Sequence, residues 1–202
     1  EPGPSSPARG QGLYFRHKKA NEMWDFHNGF GSMLQGHAHP VIGEAVLERY
    51  GKGTHFAAPT EDALAVAENL SSRWGLPKWR YTNSGSESTM DAIRIARAYT
   101  GRDTVMKIFG SYHGHHDTVM VSIGVEYDKI GDRDNLASLP YGGGIPDATV
   151  QMTVPVPFND AEAMERRIIR LADEGRKPAC VIMEPAMMNL GVVLPEPGYL
   201  EQ

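Results

Sequence analysis

Between residues 79 and 185 short apolar runs alternate with longer amphipathic stretches, and that alternation constrains the fold more than any other feature of the sequence. The runs at 79–82, 104–109, 150–154 and 179–185 have strand length and end at turn residues or at helix starts. One intervening segment places Met90, Ile93, Ala96 and Arg97 at helical spacing and closes at Gly101. Another is capped by Asn159 and Asp160 and runs through Glu174, with Gly175 beyond. A strand followed by a helix and then another strand returns the chain to the same end of the sheet, so the neighbours run parallel. The expected fold class is α/β, a mainly parallel sheet with flanking helices, and its ligands belong at the carboxyl ends of the strands.

Upstream the pattern is different. Residues 1–12 are rich in Pro, Gly and Ser and predict no packed structure. The aromatic-containing runs 13–15 and 23–26, separated by the charged stretch 16–22, read as a hairpin. Pro40 suits the first turn of a helix with Val41, Ile42, Ala45, Val46 and Tyr50 on one face, ended by Gly51 and Gly53. Thr60 caps a second helix, with Glu61 and Asp62 in its first turn and Leu64, Ala67 and Leu70 on one face. The expected division is an N-terminal segment, 1–58, and the first part of an α/β domain, 59–202.

Composition excludes several function classes. The 202 residues carry a net charge of -5 with the basic side chains scattered, so no nucleic-acid partner is expected. Cys180 is the sole cysteine, which rules out a disulfide within the chain and suits a reducing, cytoplasmic location. Apolar runs such as 179–183 fall far short of the roughly 20 residues that span a bilayer, so no membrane partner is expected either.

Three places carry chemistry. Asn83-Ser84-Gly85-Ser86-Glu87 joins a strand end to a helix start, where small residues and free N–H groups suit a phosphate. An ordinary helix cap uses the same residue types, and the motif alone favours that reading. It is neither a Walker loop nor a dinucleotide fingerprint. Tyr112-His113-Gly114-His115-His116-Asp117 follows the next strand and belongs at the same sheet edge, where an aromatic ring beside a phosphate suits a planar cofactor. The competing reading is a metal-dependent hydrolase built on His113, His115 and His116; the spacing matches no zinc-hydrolase motif, and no metal is expected. Glu184-Pro185 and Asn189 stand at the mouth of the last strand. His37-Ala38-His39-Pro40 reads as a turn before a helix, with one histidine bonded to backbone. Residues 124–146, with Gly142-Gly143-Gly144 as a hinge, read as a long loop that binds or gates something.

Taken in order, Gly36-His37-Ala38-His39-Pro40, residues 83–87 and 92–102, Tyr112-His113-Gly114-His115 and Glu184-Pro185 resemble the class III pyridoxal-phosphate-dependent aminotransferases, nearest their glutamate-1-semialdehyde aminomutase-like branch. The resemblance implies the fold type I architecture of these transferases, incomplete in this chain, which corresponds to an N-terminal half. It implies pyridoxal 5'-phosphate as cofactor, and an aminotransferase or aminomutase acting on a small amino acid, amine or amino-aldehyde. It also implies a homodimer with each active site at the subunit interface. In that family's arrangement Gly85 and Ser86 hold the phosphate, Tyr112 stacks on the pyridine ring and His113 flanks it. Asn189 approaches the phenolic oxygen, and Glu184 is a supporting carboxylate. Phe30 and Ser32 are expected to face substrate, and the aminomutase pattern carries Trp where Phe30 stands. The Schiff-base lysine and the aspartate that pairs with the pyridine nitrogen are expected beyond Gln202. No catalytic residue is therefore expected in this chain, which by itself is an inactive or non-catalytic fragment on this reading.

Overall fold

The computed structural model describes residues 7–17 and 21–202. The chain forms two compact units that divide between Trp79 and Arg80.

In the first unit β1 (Pro7–Gln11), β2 (Tyr14–His17) and β3 (Glu22–Trp24) make an antiparallel sheet in that order. Register sets Tyr14 opposite Trp24 with ring centroids 4.6 Å apart, and Arg16 opposite Glu22 with a 3.1 Å ion pair. Cross-strand pairs of this kind stabilise a sheet and select its register. The hairpin expected from the aromatic runs is present. Residues 7–11, expected to lack structure, form an edge strand instead. An edge tolerates Pro7 because one row of its N–H groups has no partner to lose. Residues 1–6 and 18–20 lie outside the described residues.

Helix α1 (Pro40–Lys52) opens on Pro40 as expected but passes through Gly51 and stops at Gly53, whose φ is 92°. Helix α2 (Glu61–Trp74) is capped by Thr60, whose hydroxyl accepts from Ala63 N–H. Neither helix contains a buried residue, and Val41, Ile42 and Val46 are exposed.

The second unit is built on helix α3 (Gly85–Thr100), strand β4 (Val105–Ile108), a small hairpin of β5 (Gly131–Asp132) and β6 (Asn135–Leu136), helix α4 (Asp147–Gln151), strand β7 (Thr153–Val156), helix α5 (Ala161–Asp173) and strand β8 (Cys180–Ile182). The sheet order is β7-β4-β8 and all pairings are parallel. Every residue of the central strand β4 is buried. Met106 and Ile108 pack with Val154, Val156 and Leu171 on the α5 side. Val105 packs with Ile93 and Val119 on the other side. Alternation along the strand therefore sends Lys107 to the same face as Val105.

Four expectations need correction. Residues 79–82 form no strand, because no described strand lies beside them to complete a ladder. The expected strand 150–154 begins later, at Thr153: Asp147 starts a short helix after Pro146, and that helix absorbs Val150. The last strand is Cys180–Ile182 and is only half-buried, as befits a strand paired on one side among the described residues. The 124–146 segment is not structureless. Its hairpin is fastened by Arg133 to Asp160 at 2.6 Å and by Asp134 to Arg166 at 2.8 Å, while Ser138 donates to the Thr153 carbonyl at 2.8 Å.

Candidate functional site

The site is assembled where β4 and β8 end and α3 begins. Ser84 is the N-cap of α3: its hydroxyl accepts from Glu87 N–H at 3.2 Å, and the Glu87 carboxylate reaches back to Asn83 N–H at 2.6 Å. These two bonds leave the N–H groups of Gly85 and Ser86 without a hydrogen-bond partner among the described residues. Both the cap and the free donors anticipated from sequence are therefore present. The N-terminus of a 16-residue helix adds its dipole to those donors.

The turn after β4 lies directly against this helix start. Ser86 Oγ accepts from His115 N–H at 2.8 Å, and Thr89 Oγ1 donates to the His113 carbonyl at 2.5 Å. Gly114, with φ 108°, permits the contact, since a Cβ there would stand 2.7 Å from both Cα and Oγ of Ser86. Tyr112 in the same turn is 46% exposed.

The loop after β8 closes the assembly. Glu184 accepts from Tyr112 N–H at 2.9 Å through one carboxylate oxygen and from Met188 N–H at 2.8 Å through the other. Asn189 Nδ2 donates to the Gly110 carbonyl at 3.1 Å. Glu184 and Asn189 thus tie the two strand-end loops together, and Gly85, Ser86, Tyr112, His113, Glu184 and Asn189 all lie on one sheet edge.

Beneath the turn sits Lys107, 0% exposed, a residue type that is almost never fully buried without a compensating charge. Its Nζ donates to the Ile108 carbonyl at 3.3 Å, which also accepts from Ser111 Oγ at 2.6 Å and Ser111 N–H at 3.1 Å. Burial pushes the Lys107 ammonium down to about 8, with Glu184 pulling the other way. Burial likewise pushes His113 down to about 4, assisted by the Lys107 charge, so its imidazole is neutral at physiological pH. His113 Nε2 is buried with no partner among the described residues, a cost that an additional donor or acceptor at the site would remove. Sequence reasoning passed over Lys107, Thr89 and Ser111. Only a cation inside the apolar run 104–109 signalled the first.

The three histidines do not converge. His113 is buried, His115 is exposed, and His116 Nε2 lies 3.2 Å from Thr89 Oγ1. Among the described residues no group of three or more His, Cys, Asp or Glu could hold a metal ion, and nothing supports the metal-hydrolase reading.

Phe30 and Ser32 belong to the first unit, on a turn in which Phe30 is 92% exposed and Ser32 Oγ donates to the Gly29 carbonyl at 2.7 Å. His37 pairs with the Asp25 carboxylate at 2.6 Å and His39 Nδ1 is buried with no partner among the described residues, so neither ring shows the backbone bond expected of one of them. Hydrogen bonds from His27 and Asn28 N–H join the His37 contact in holding the Asp25 carboxyl below its ordinary range.

An α/β domain with parallel strands, free amides at a helix start and an aromatic face beside them is of the class that binds phosphorylated ligands. Comparison with known proteins narrows this class. The family described as aminotransferase class-III matches residues 3–202, and the chain belongs to that family. It is 40% identical over all 202 residues to glutamate-1-semialdehyde 2,1-aminomutase of Methanothermobacter thermautotrophicus strain Delta H, and spans 45% of that protein's length. Among solved structures, an omega-transaminase from Sphaerobacter thermophilus superposes with a TM-score of 0.91 at 39% identity, covering 99% of this chain and 45% of its own. A transaminase with PLP bound gives 0.86 at 36% identity, covering 100% of this chain and 45% of its own. The parallel sheet with flanking helices is thus an incomplete fold type I domain.

Proposed function

We propose that this chain is the cofactor-anchoring part of an aminotransferase or aminomutase that uses pyridoxal 5'-phosphate and acts on a small amino acid, amine or amino-aldehyde. The observation that carries the reading is the contact between the α3 start and the Tyr112–His115 turn, which sets two free amides beside an exposed aromatic ring. Family membership and the solved transaminase with PLP bound support the cofactor.

When bound, the cofactor supplies an electron sink for the substrate's reacting carbon. The chain's own residues bind and orient. Gly85 and Ser86 donate backbone N–H groups to the phosphate, and the helix dipole favours its charge. Tyr112 provides the platform for the ring, and Glu184 fixes that platform by holding the Tyr112 backbone. His113 flanks the ring as a neutral imidazole, and Asn189 keeps the neighbouring loop against the end of β4. Phe30 and Ser32 face substrate, with Phe30 where the aminomutase pattern has Trp.

The amine that holds the cofactor covalently lies, by the family resemblance, beyond Gln202, and residues 1–202 alone are inactive. A homodimer with the site at its interface and a cytoplasmic location belong to the same reading. Among the described residues no helix is long and apolar enough to cross a membrane.

The test is a titration with pyridoxal phosphate followed by absorbance. Tyr112→Ala weakens binding about tenfold, or about 1.4 kcal/mol, a typical loss for one aromatic stacking contact. Inorganic phosphate competes, and borohydride treatment of residues 1–202 labels no single lysine. Binding that is indifferent to both phosphate and Tyr112→Ala refutes the site. Stoichiometric labelling of Lys107 with turnover of an amino donor refutes the assignment of the amine.

A further inference from the structure

We propose that His37 is a positioning residue for the substrate-facing turn: paired with Asp25, it locks residues 28–31 in a left-handed conformation that presents Phe30 and Ser32. The proposal rests on the reading of Phe30 and Ser32 as substrate-facing and adds what holds them.

Four consecutive residues have positive φ: Asn28 at 49°, Gly29 at 56°, Phe30 at 56° and Gly31 at 83°. Glycine adopts such angles freely and asparagine tolerates them, but a bulky residue such as phenylalanine is strained there. A strained backbone persists only where its surroundings over-determine it, and such outliers cluster at functional sites. The turn's own bonds are Gly31 N–H to Asn28 O at 3.0 Å, Met33 N–H to Asn28 O at 3.2 Å and Ser32 N–H to Gly29 O at 3.3 Å. They are local, and their geometry does not by itself choose a left-handed over a right-handed turn.

The choice is made at the base. One oxygen of Asp25 accepts from Asn28 N–H at 2.8 Å and from His27 N–H at 3.1 Å, so it sets the entry into the turn. The other oxygen meets His37 Nε2 at 2.6 Å, and both residues are partly buried. His37 is itself immobilised from two further directions. Its backbone exchanges a pair of hydrogen bonds with Gly12 at 2.8 and 2.9 Å. Its ring lies so close to β1 that a Cβ on Gly10 would stand 2.6 Å from His37 Cγ. The histidine thus transmits the position of the β1–β2 hairpin through Asp25 to the turn that bears Phe30. The His27 ring, 4.2 Å from the Phe30 ring centroid, then fixes the direction of the phenyl group.

The test uses the complete cofactor-loaded protein that contains these residues, with His37→Leu, His37→Gln, Asp25→Asn and Phe30→Ala. Hydrogen exchange at the amides of residues 31–33, cofactor content, and kcat and KM for an amine substrate are measured. His37→Leu is expected to speed exchange at residues 31–33 about tenfold and to raise KM about tenfold, with kcat and cofactor content unchanged. His37→Gln, whose side-chain amide also donates towards Asp25, restores most of the loss. Unchanged exchange in His37→Leu overturns the proposal. Faster exchange with unchanged KM also overturns it, and Phe30→Ala then separates the causes. A raised KM in Phe30→Ala leaves the substrate-facing turn standing without its lock, whereas an unchanged KM removes the substrate reading itself. Should His37→Leu lose cofactor or exchange globally, Asp25→Asn decides alone, since it keeps an acceptor for both backbone amides and weakens only the contact with His37.

Discussion

Replacing Lys107 with methionine, a side chain of similar length and no charge, is expected to make the protein more stable and the cofactor site worse. The fall of the Lys107 ammonium from its ordinary 10.5 to about 8 measures how much the folded state disfavours the charge. At 1.36 kcal/mol per pH unit that is about 3 kcal/mol. The sign follows from proton counting. Below pH 8 both folded and unfolded chains carry the proton, and the folded chain bears the full desolvation cost. Between pH 8 and 10.5 the folded lysine releases its proton while the unfolded one keeps it, so stability rises with pH across that window. Above it the cost is gone. Methionine removes the cost at every pH and strands no acceptor, because the Ile108 carbonyl keeps both donors from Ser111. Urea unfolding of the complete protein from pH 7 to 11 should therefore show Lys107→Met more stable by about 1–3 kcal/mol at pH 7, with the gain vanishing near pH 10.5. Cofactor dissociation should quicken, since Glu184 loses the cation beneath the Tyr112 turn. The reasoning is refuted if Lys107→Met is less stable at pH 7, or if the wild type gains nothing between pH 8 and 10.5.

His113, held at about 4 chiefly by burial, gives a slope of the same sign in an acid window: the unfolded chain binds a proton near 6.5 that the folded chain refuses. Stability should fall by about 3 kcal/mol as pH drops from 6.5 to 4, and His113→Gln should flatten that fall in acid-unfolding curves. Gly114→Ala should cost more than about 2 kcal/mol in chemical unfolding and weaken phosphate competition, because its new methyl meets Ser86 at 2.7 Å on a backbone with φ 108°. Wild-type phosphate affinity in that variant would separate the turn from the cradle.

The readable parts of the fold were those whose causes are local. Thr60 and Ser84 accept bonds from amides three residues ahead, so the residue types themselves announce the helix starts. The Tyr112 turn and Glu184 were placed on one sheet edge because parallel topology demands it, although nothing in the spacing told that Glu184 would accept the Tyr112 amide. Where tertiary partners decide, the reading failed. Pro7–Gln11 pairs with β2 despite its composition, and residues 79–82 remain outside the ladder despite theirs. Val150 suggested a strand, yet Pro146 and Asp147 carry a helix-start signal that outweighs one β-branched residue. Lys107 and the Asp25–His37 pair were invisible for the same reason. The opposite charges they face, Glu184 for Lys107 and His37 for Asp25, lie far off in sequence, and no periodicity records which groups those are.

The bonds that close the site span long stretches of chain: Tyr112 meets Glu184 across 72 positions, and Asn189 meets Gly110 across 79. A hydrogen bond between neighbours costs little chain entropy to close, whereas contacts this remote are made only after the intervening segment has been ordered, and folding rates fall as such contacts come to dominate. The helix start at Ser84 can form early, since its capping is local. The platform beside it cannot form until β8 has docked parallel to β4. During refolding, therefore, affinity for an anion at the α3 start should precede affinity for an aromatic ring beside it. Ring binding is then a late reporter of β8 docking, one that follows the last step of assembly and not the collapse that comes before.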